Sequence, residues 1–300
     1  MSARIVAAAL GKAHREGRNW RVSCPVHGGK SLALADAHDG KLLIHCFGGC
    51  ESRDVWNALR ERGLINGSFD TRTAEKIEEQ RRREARAQKN EIRKIARRIS
   101  QARALYAHAL PAVGTPLVTY LRSRGLSSIP VPSVLRYVQH CRHRNGRYYP
   151  VMVAPIVNVG GEQIAIHKTF LLSDGSGKAS LPKEQQRETC GPMKGGAVRL
   201  GSYRPGIALI IGEGIETTLS AMQMFGLPGW AALSAYGLEA LKLPDEVREI
   251  AICADNDLNR RGQRAALIAY QRWVSEDRSV RVWLPPDTGD DFNSILRSGR

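Results

Sequence analysis

The sequence lacks the features of several large classes of protein. No apolar run approaches the roughly 20 residues that span a bilayer, and the N-terminal stretch has a short apolar patch without the layout of a signal peptide. Six cysteines among 300 residues do not suggest a disulfide scaffold, and there is no P-loop of the kind found in ATPases. We therefore expect a cytoplasmic protein that has no membrane partner.

Acidic residues are scarce relative to basic ones. Lys and Arg together number 45 against 29 Asp and Glu, which gives a formal net charge of +16 at pH 7. Such an excess favours a polyanionic partner, most often nucleic acid, although a basic protein without that partner can have the same balance. Apolar residues make up 42% of the chain, so that 300 residues can form two domains and a small third.

Composition divides the chain into four segments. Residues 71–104 contain neither Gly nor Pro and hold 12 Lys and Arg against 5 Asp and Glu. This pattern predicts a helix with a basic surface, which is either a solvated connection or a contact for nucleic acid. The predicted boundaries enclose an N-terminal unit (1–66), a basic helical linker (67–104), a mixed α+β basic subdomain (105–205) and an α/β domain (206–300).

Two patterns predict the fold of the last two segments. Residues 148–180 are typical of a strand, a turn at Gly160-Gly161, a second strand and a glycine-rich loop. Residues 206–296 alternate apolar, strand-like runs with helical stretches, which predicts a parallel sheet covered by helices. In such sheets functional residues collect at the carboxyl ends of the strands.

Four potential zinc ligands lie near the N-terminus. Cys24 and His27 are spaced C-x2-H, and Cys46 and Cys50 are spaced C-x3-C. Three thiolates and an imidazole suit tetrahedral zinc. The stretch between the two pairs predicts two strands around a turn at Asp39-Gly40, and so a small zinc ribbon. The alternative is that the four side chains are unrelated and merely buried.

Two further histidines compete as zinc ligands. His38 lies in the predicted hairpin, and His45 directly precedes Cys46. Because neighbouring residues on a strand point to opposite faces, His45 is left out of the ligand set. We expect the zinc to be structural, and contact of the ribbon with single-stranded DNA is a further hypothesis.

Acidic side chains follow three of the predicted strands. Glu213 lies in a Gly-Glu-Gly turn after one apolar run, and Asp255 and Asp257 follow another. Residues i and i+2 of an extended backbone project to the same side, so the two aspartates can hold one hard cation such as Mg²⁺. Singly, these residues could belong to an ordinary turn and a solvated loop, but together they predict a metal site. A third acidic cluster follows the last predicted strand and contains Asp287, Asp290 and Asp291.

The Gly-Glu-Gly turn, followed one β-α-β-α-β passage later by D-x-D, resembles the signature of the Toprim domain of bacterial and phage primases, topoisomerases and some nucleases. The Cys/His ribbon narrows this resemblance to the bacterial-type primases. The stretch PVMVAPIVNVGGEQIAIHKTFLLSDGSGKAS resembles their basic RNA-polymerase subdomain, and YLRSRGL and GDDFNSIL resemble phage and mobile-element proteins. The C-x3-C knuckle departs from the C-x2-C of the better-known primases.

The resemblance implies a fold and a set of metal ligands. The expected fold is a zinc ribbon, a mixed α+β basic subdomain resembling the polymerase subdomain of primases, and a C-terminal Toprim domain with a Rossmann-like parallel sheet. Asp255 and Asp257 would bind Mg²⁺ or Mn²⁺, with Asp290 or Asp291 completing the shell. Glu213 would be a metal ligand or the base for the attacking 3′-hydroxyl.

Basic side chains would then hold nucleoside triphosphates and the template. For each of them, a solvated surface charge is the alternative interpretation. The candidates are Lys168, Lys178, Lys183, Lys194, Arg260 and Arg264.

The implied function is that of a DNA primase of a phage, plasmid or mobile element. It would synthesise short RNA primers on single-stranded DNA by metal-dependent nucleotidyl transfer, and any replicative helicase would act in trans. Two alternatives remain: a Toprim nuclease that uses the same carboxylates, and a non-catalytic DNA-binding regulator built on the zinc ribbon.

Overall fold

A computed structural model describes residues 2–38, 40–66 and 71–299. The chain divides into two compact units, Met1–Asn90 and Glu91–Arg300.

The first unit contains a four-stranded antiparallel sheet in the order β1-β2-β3-β4. Strands β3 and β4 pair across the predicted hairpin, and Asp39 of the predicted turn lies outside the described residues. Alternation along β3 buries Leu32 and Leu34 against the helices, which gives the unit its own hydrophobic core. The elements are α1 (Ala3–Ala9), β1 (His14–Glu16), β2 (Asn19–Val22), β3 (Leu32–Asp36), β4 (Leu42–Cys46) and α2 (Ser52–Glu61).

Helix α3 (Thr71–Ala107) is 37 residues long and begins in the first unit and ends in the second. It covers the stretch without Gly and Pro, and residues 79–98 are exposed. Residues 67–70, at the start of the predicted linker, lie outside the described residues. Across the part of the chain that the structure describes, no helix is both long enough and apolar enough to cross a membrane.

The second unit continues after α3 with an antiparallel sheet in the order β5-β6-β7-β8-β9. Strands β7 and β8 flank the predicted turn, where Gly161 has a φ of +82°, a left-handed conformation that glycine adopts without strain. A short 3₁₀ helix, Lys183–Gln185, precedes β9. The elements are β5 (Leu110–Pro111), α4 (Pro116–Ser123), β6 (Arg136–Arg142), β7 (Tyr148–Val157), β8 (Gln163–Phe170) and β9 (Arg187–Cys190).

A second five-stranded sheet completes this unit, in the order β10-β12-β11-β13-β14. Four of its strands are parallel, and β10 pairs antiparallel with β12 at one edge. Every residue of β11 is buried, as expected of a strand covered on both faces. The elements are β10 (Val198–Arg199), β11 (Leu209–Gly212), α5 (Ile215–Phe225), β12 (Gly229–Ala231), α6 (Ala235–Ala240), β13 (Glu249–Cys253), α7 (Arg261–Ser275), β14 (Ser279–Trp283) and α8 (Phe292–Ser298).

This architecture confirms the predicted fold class, which combines an N-terminal ribbon, a mixed α+β part and a mostly parallel C-terminal sheet. One hydrophobic cluster is common to the last two parts, because Tyr120 of α4, Met152 of β7 and Leu219 of α5 belong to the same core. Helix α4 therefore packs in the same core as α5, the helix that follows β11 of the parallel sheet.

Candidate functional site

The Cys/His cluster of the first unit forms a compact group of potential ligands. One ligand atom from each of Cys24, His27, Cys46 and Cys50 lies within 4.8 Å of the others. His27 Nδ1 is 3.0 Å from Cys50 Sγ, and Cys24 Sγ is 4.0 Å from Cys50 Sγ. Three sulfurs and one nitrogen at these separations match the corners of a tetrahedral zinc site, whose Zn–S bonds are about 2.3 Å long.

Local backbone geometry produces this group. The Gly28 N–H donates to the Cys24 carbonyl at 2.8 Å, which closes the first knuckle. In the second knuckle, a Cβ atom at Gly48 would lie 2.6 Å from the His27 ring, so only glycine fits there. The Ser31 hydroxyl is 2.9 Å from His27 Nε2 and can orient the ring. His45 is exposed and outside the group, in agreement with the alternation along β4.

Three strand ends bring the acidic residues to one edge of the parallel sheet. Glu213 directly follows β11, and Asp255 and Asp257 follow β13. These two strands are neighbours, with Gly212 opposite Cys253. Strand β14 pairs with β13 on the other side, and the segment after it leads to Asp291 at the start of α8. Parallel topology therefore gathers residues that are distant in the sequence.

The start of α7 shows how closely these acidic residues approach one another. A Cβ atom at Gly262 would lie 2.7 Å from Glu213 Oε1, 2.8 Å from the Asp255 backbone oxygen and 3.3 Å from Asp257 Oδ2. The Gly262 N–H donates to Asp257 Oδ2 at 3.2 Å, and the helix N-terminus favours the negative charge. Glycine is the residue that leaves room for the carboxylates here.

The electrostatics of the site favour a positive charge beside the carboxylates. Glu213 Oε1 and Asp255 Oδ1 are buried without a hydrogen-bond partner. Burial, followed by the charge of Asp257, raises the pKa of Glu213 to about 7. Burial, followed by the charges of Glu213, Asp291 and Asp257, raises the pKa of Asp255 to about 8. Clustered carboxylates of this kind are costly unless a proton or a cation offsets their repulsion, so the residues present fit a divalent cation.

The acidic group is more open than the Cys/His group. Among the described residues, the Cys/His set is the only group of three or more potential ligands whose atoms all lie within 4.8 Å of one another. The wider spacing of the carboxylates suits a cation such as Mg²⁺, which keeps water and phosphate oxygens among its ligands.

Asp290 and Asp291 differ in their surroundings. Asp291 caps α8 by accepting the Ser294 N–H at 2.7 Å, and its charge contributes to the raised pKa of Asp255. The Asp290 carboxylate accepts from the Ser294 hydroxyl at 2.9 Å, and its backbone oxygen accepts the Asn256 N–H at 3.0 Å. Asp291 is thus the one of the two whose charge acts on Asp255.

The basic residues singled out from the sequence have different environments. Lys168 forms an ion pair with Glu188 at 2.7 Å, and Lys178 forms one with Glu216 at 2.9 Å. Lys183 lines a cavity between β8, β9 and the segment after β12. The remaining three are exposed, and they are Lys194, Arg260 and Arg264.

Sequence reasoning missed Arg187, on β9. It lines the same cavity as Lys183 and the buried His167. Its positive charge offsets part of the rise in the pKa of Asp255. Burial, followed by nearby charges that include Arg187, lowers the pKa of His167 to about 4. The polar stretch around Arg187 carries no pattern that would have distinguished this arginine from a solvated one.

Comparison with solved structures finds likenesses among bacterial and phage primases. The primase fragment of the bacteriophage T7 primase-helicase protein is 16% identical with a TM-score of 0.39, and the match covers 60% of this chain and 64% of that one. The chain therefore spans less than two thirds of that fragment. The Aquifex aeolicus primase, solved with its zinc binding and RNA polymerase domains, is 16% identical with a TM-score of 0.42, over 99% of this chain and 80% of that one.

The E. coli primase catalytic core is likewise 16% identical with a TM-score of 0.42, over 67% of this chain and 75% of that one. A search among curated proteins found no match. Family models match two parts of the second unit. Residues 96–200 match a family described as a domain of unknown function (DUF7146), and residues 208–300 match the Toprim domain. The resemblance drawn from the Gly-Glu-Gly turn and D-x-D is thus confirmed, and residues 208–300 of this chain belong to the Toprim domain family.

Proposed function

We propose that the chain is a DNA primase that synthesises short RNA primers on single-stranded DNA during replication of a phage, plasmid or other mobile element. The observation that carries this proposal is the acidic group of the Toprim domain, in which Glu213 and Asp255 each have a buried carboxylate oxygen without a partner. The Cys/His group that can hold zinc and the net charge of +16 support a nucleic-acid partner.

Three aspartates would bind the divalent cation at this site. Asp255 and Asp257 would hold Mg²⁺ or Mn²⁺, with Asp291 as a further ligand. Bound divalent cations supply charge neutralisation at the attacking and leaving oxygens of a phosphoryl transfer. The hydrogen bond from Gly262 keeps Asp257 in one orientation.

Glu213 would be either a metal ligand or the base that accepts the proton of the 3′-hydroxyl. Burial raises its pKa to about 7. A carboxyl group with a pKa close to the working pH is well matched to proton transfer. A cation bound nearby would lower that pKa, so the two roles predict different pH profiles.

Basic side chains would bind the polyanionic substrates. Lys183 and Arg187 line one cavity, and the positive charge of Arg187 interacts with the Asp255 carboxylate. We therefore assign both residues to binding of the nucleoside triphosphate. The exposed residues Lys194, Arg260 and Arg264 are candidates for the template backbone, where cations contact phosphates.

A primer-synthesis assay tests this function. The zinc-loaded full chain is incubated with single-stranded DNA, labelled ribonucleotides and Mg²⁺ or Mn²⁺. A primase gives short labelled products that disappear in Asp255→Asn and Glu213→Gln. Cutting of the template without synthesis would instead indicate a nuclease. Salt-sensitive DNA binding with neither activity would indicate a binding module and overturn the proposal.

A further inference from the structure

A buried polar cluster lies behind the acidic site. Glu216, in the first turn of α5, and Tyr120, on α4, are 6% and 0% exposed. The Tyr120 hydroxyl donates to Glu216 Oε1, and Lys178 Nζ lies 2.9 Å from the same oxygen. Burial by itself would raise the pKa of Glu216, but the charge of Lys178 and the Tyr120 hydrogen bond lower it to about 2. The cluster is therefore a buried ion pair with an added neutral donor.

The partners of Glu216 are themselves fixed. Lys178 ends a glycine-rich loop that packs tightly on the start of α4, because a Cβ atom at Gly175 would lie 2.1 Å from the Pro116 carbonyl oxygen. Gly175 also has a φ of +73°, which favours glycine. The loop and α4 thus form one rigid support.

The turn that carries Glu213 cannot move independently of Glu216. Only two residues separate them, and the Thr218 hydroxyl donates to the Gly214 carbonyl at 2.7 Å. A Cβ atom at Gly212 would lie 2.4 Å from Thr218 Oγ1. A shift of Glu216 would therefore displace the Glu213 carboxylate.

A second link joins α4 to the helix that begins at Asp291. The side-chain amide of Asn293, which is fully buried, donates to the Arg124 carbonyl at the end of α4 at 2.7 Å. The same amide donates to Ser220 Oγ on α5 at 2.9 Å. Helix α4 consequently contacts both helices whose first residues flank the acidic site.

We propose that Glu216 is a positioning residue and that α4 is a brace, which through Tyr120 and Asn293 holds Glu213 and Asp291 at the distance from Asp255 that cation binding requires. Replacing a buried ion pair by apolar residues is often neutral or stabilising, so stability alone does not account for this cluster. In this arrangement the Lys178 ammonium is held by the Glu216 carboxylate. The catalytic part of this inference depends on the proposed function, whereas the cation-binding part does not.

The test compares Glu216→Gln with a matched control. The glutamine keeps an oxygen for the Tyr120 hydroxyl and removes the charge. The control, Glu276→Gln, removes a partly exposed carboxylate that pairs with the buried Arg278 at 3.0 Å, just before the start of β14. Mn²⁺ affinity of the zinc-loaded full chain is measured by electron paramagnetic resonance, and kcat and KM for ribonucleotides are measured beside it.

We expect Glu216→Gln to weaken Mn²⁺ binding by about tenfold and to lower kcat by about 10- to 100-fold with KM unchanged, as for groups that orient metal ligands. Glu276→Gln should change neither. Unchanged Mn²⁺ affinity in folded Glu216→Gln would overturn the inference. If that variant does not fold, Tyr120→Phe takes its place, and we expect a smaller loss of Mn²⁺ affinity and of kcat. Unchanged Mn²⁺ affinity in Tyr120→Phe would also overturn the inference. The two proposals can also fail separately. If the wild-type chain makes no primers but Glu216→Gln still weakens Mn²⁺ binding, the proposed function is refuted and the role of α4 in cation binding is supported.

Discussion

The two candidate metal sites of this chain are built in opposite ways. The zinc group draws its ligands from two knuckles close in the sequence, and its four ligand atoms lie within 4.8 Å of one another. The acidic group draws on residues after three different strands, and its buried oxygens on Glu213 and Asp255 lack partners. The four ligand atoms of the first site can enclose one ion, whereas the carboxylates of the second site are spaced more widely.

The two sites should also differ in their effect on the stability of the fold. A structural zinc site contributes its binding free energy to the folding of the unit that supplies the ligands. The acidic site draws on the stability of the surrounding sheet, because like charges are held together before any cation arrives. The following changes should therefore act on the two regions in different directions.

Zinc removal should produce the largest effect. Structural zinc contributes about 10–16 kcal/mol of apparent binding free energy in zinc-finger peptides, so a chelator should unfold the ribbon. Hydrogen exchange read by mass spectrometry should show loss of protection across β1 to β4. Protection of β11 and β13 serves as the internal control. Full protection of the ribbon in zinc-free protein would contradict the structural role of the metal.

Asp255→Asn should raise the stability of the fold, whereas zinc removal lowers it. It removes a carboxyl group whose ionised form is disfavoured by burial and by the charges of Glu213, Asp257 and Asp291. The free energy of unfolding at neutral pH without Mg²⁺ or Mn²⁺ should therefore rise by about 1–3 kcal/mol. Thermal unfolding measures this change. Cys46→Ser, the matched change in the zinc group, should lower the melting temperature in the presence of zinc. A lower melting temperature for Asp255→Asn would refute the account of repulsion.

The acidic group should also make the free energy of unfolding depend on pH. The pKa values of Glu213 and Asp255 are about 7 and about 8 in the folded chain, above their ordinary values of 4.5 and 3.8. At pH values between the ordinary and the raised pKa, each of these carboxyl groups is protonated in the folded state and ionised in the unfolded state. Stability without added divalent cations should therefore fall as pH rises from about 4 to about 8. Urea midpoints across this range provide the measurement, and a Glu213→Gln, Asp255→Asn double variant should flatten the curve. An equal slope in both proteins would argue against these pKa shifts.

Asp291→Asn should have the smallest effect. Asn remains a good helix cap, so the change tests charge rather than the start of α8. Because Asp291 is half-buried, we expect Mn²⁺ affinity to fall by no more than about fivefold, which corresponds to about 1 kcal/mol. Asp290→Asn is the control and should leave the affinity unchanged. A larger loss for Asp290→Asn would reverse the assignment of the third acidic ligand.

Features encoded by local patterns were predictable from the sequence. Knuckle spacing identified Cys24, His27, Cys46 and Cys50, and the alternation of strands and helices gave the parallel sheet. Apolar runs that end in Glu213 and in Asp255 pointed to the acidic edge, because parallel strands share one edge.

Features that depend on tertiary contacts were not predictable. The ion pair of Lys178 was not predictable, because its partner Glu216 belongs to a helix that is distant in the sequence. Arg187 occurs in a stretch with no motif, and YLRSRGL, which begins at Tyr120, does not indicate what its side chains contact. Only the packing of α4 and β9 reveals the neighbours of these two residues. The choice between Asp290 and Asp291 likewise depends on which of them reaches Asp255.

The acidic group of the Toprim domain is proposed to bind a divalent cation. Anomalous scattering at the manganese edge, from crystals of the zinc-loaded chain soaked in Mn²⁺, would locate that cation. We expect an anomalous peak between the carboxylates of Asp255 and Asp257 that is absent from Asp255→Asn crystals. A map of the wild-type protein without a peak at these carboxylates, or with one that persists in Asp255→Asn, would contradict it.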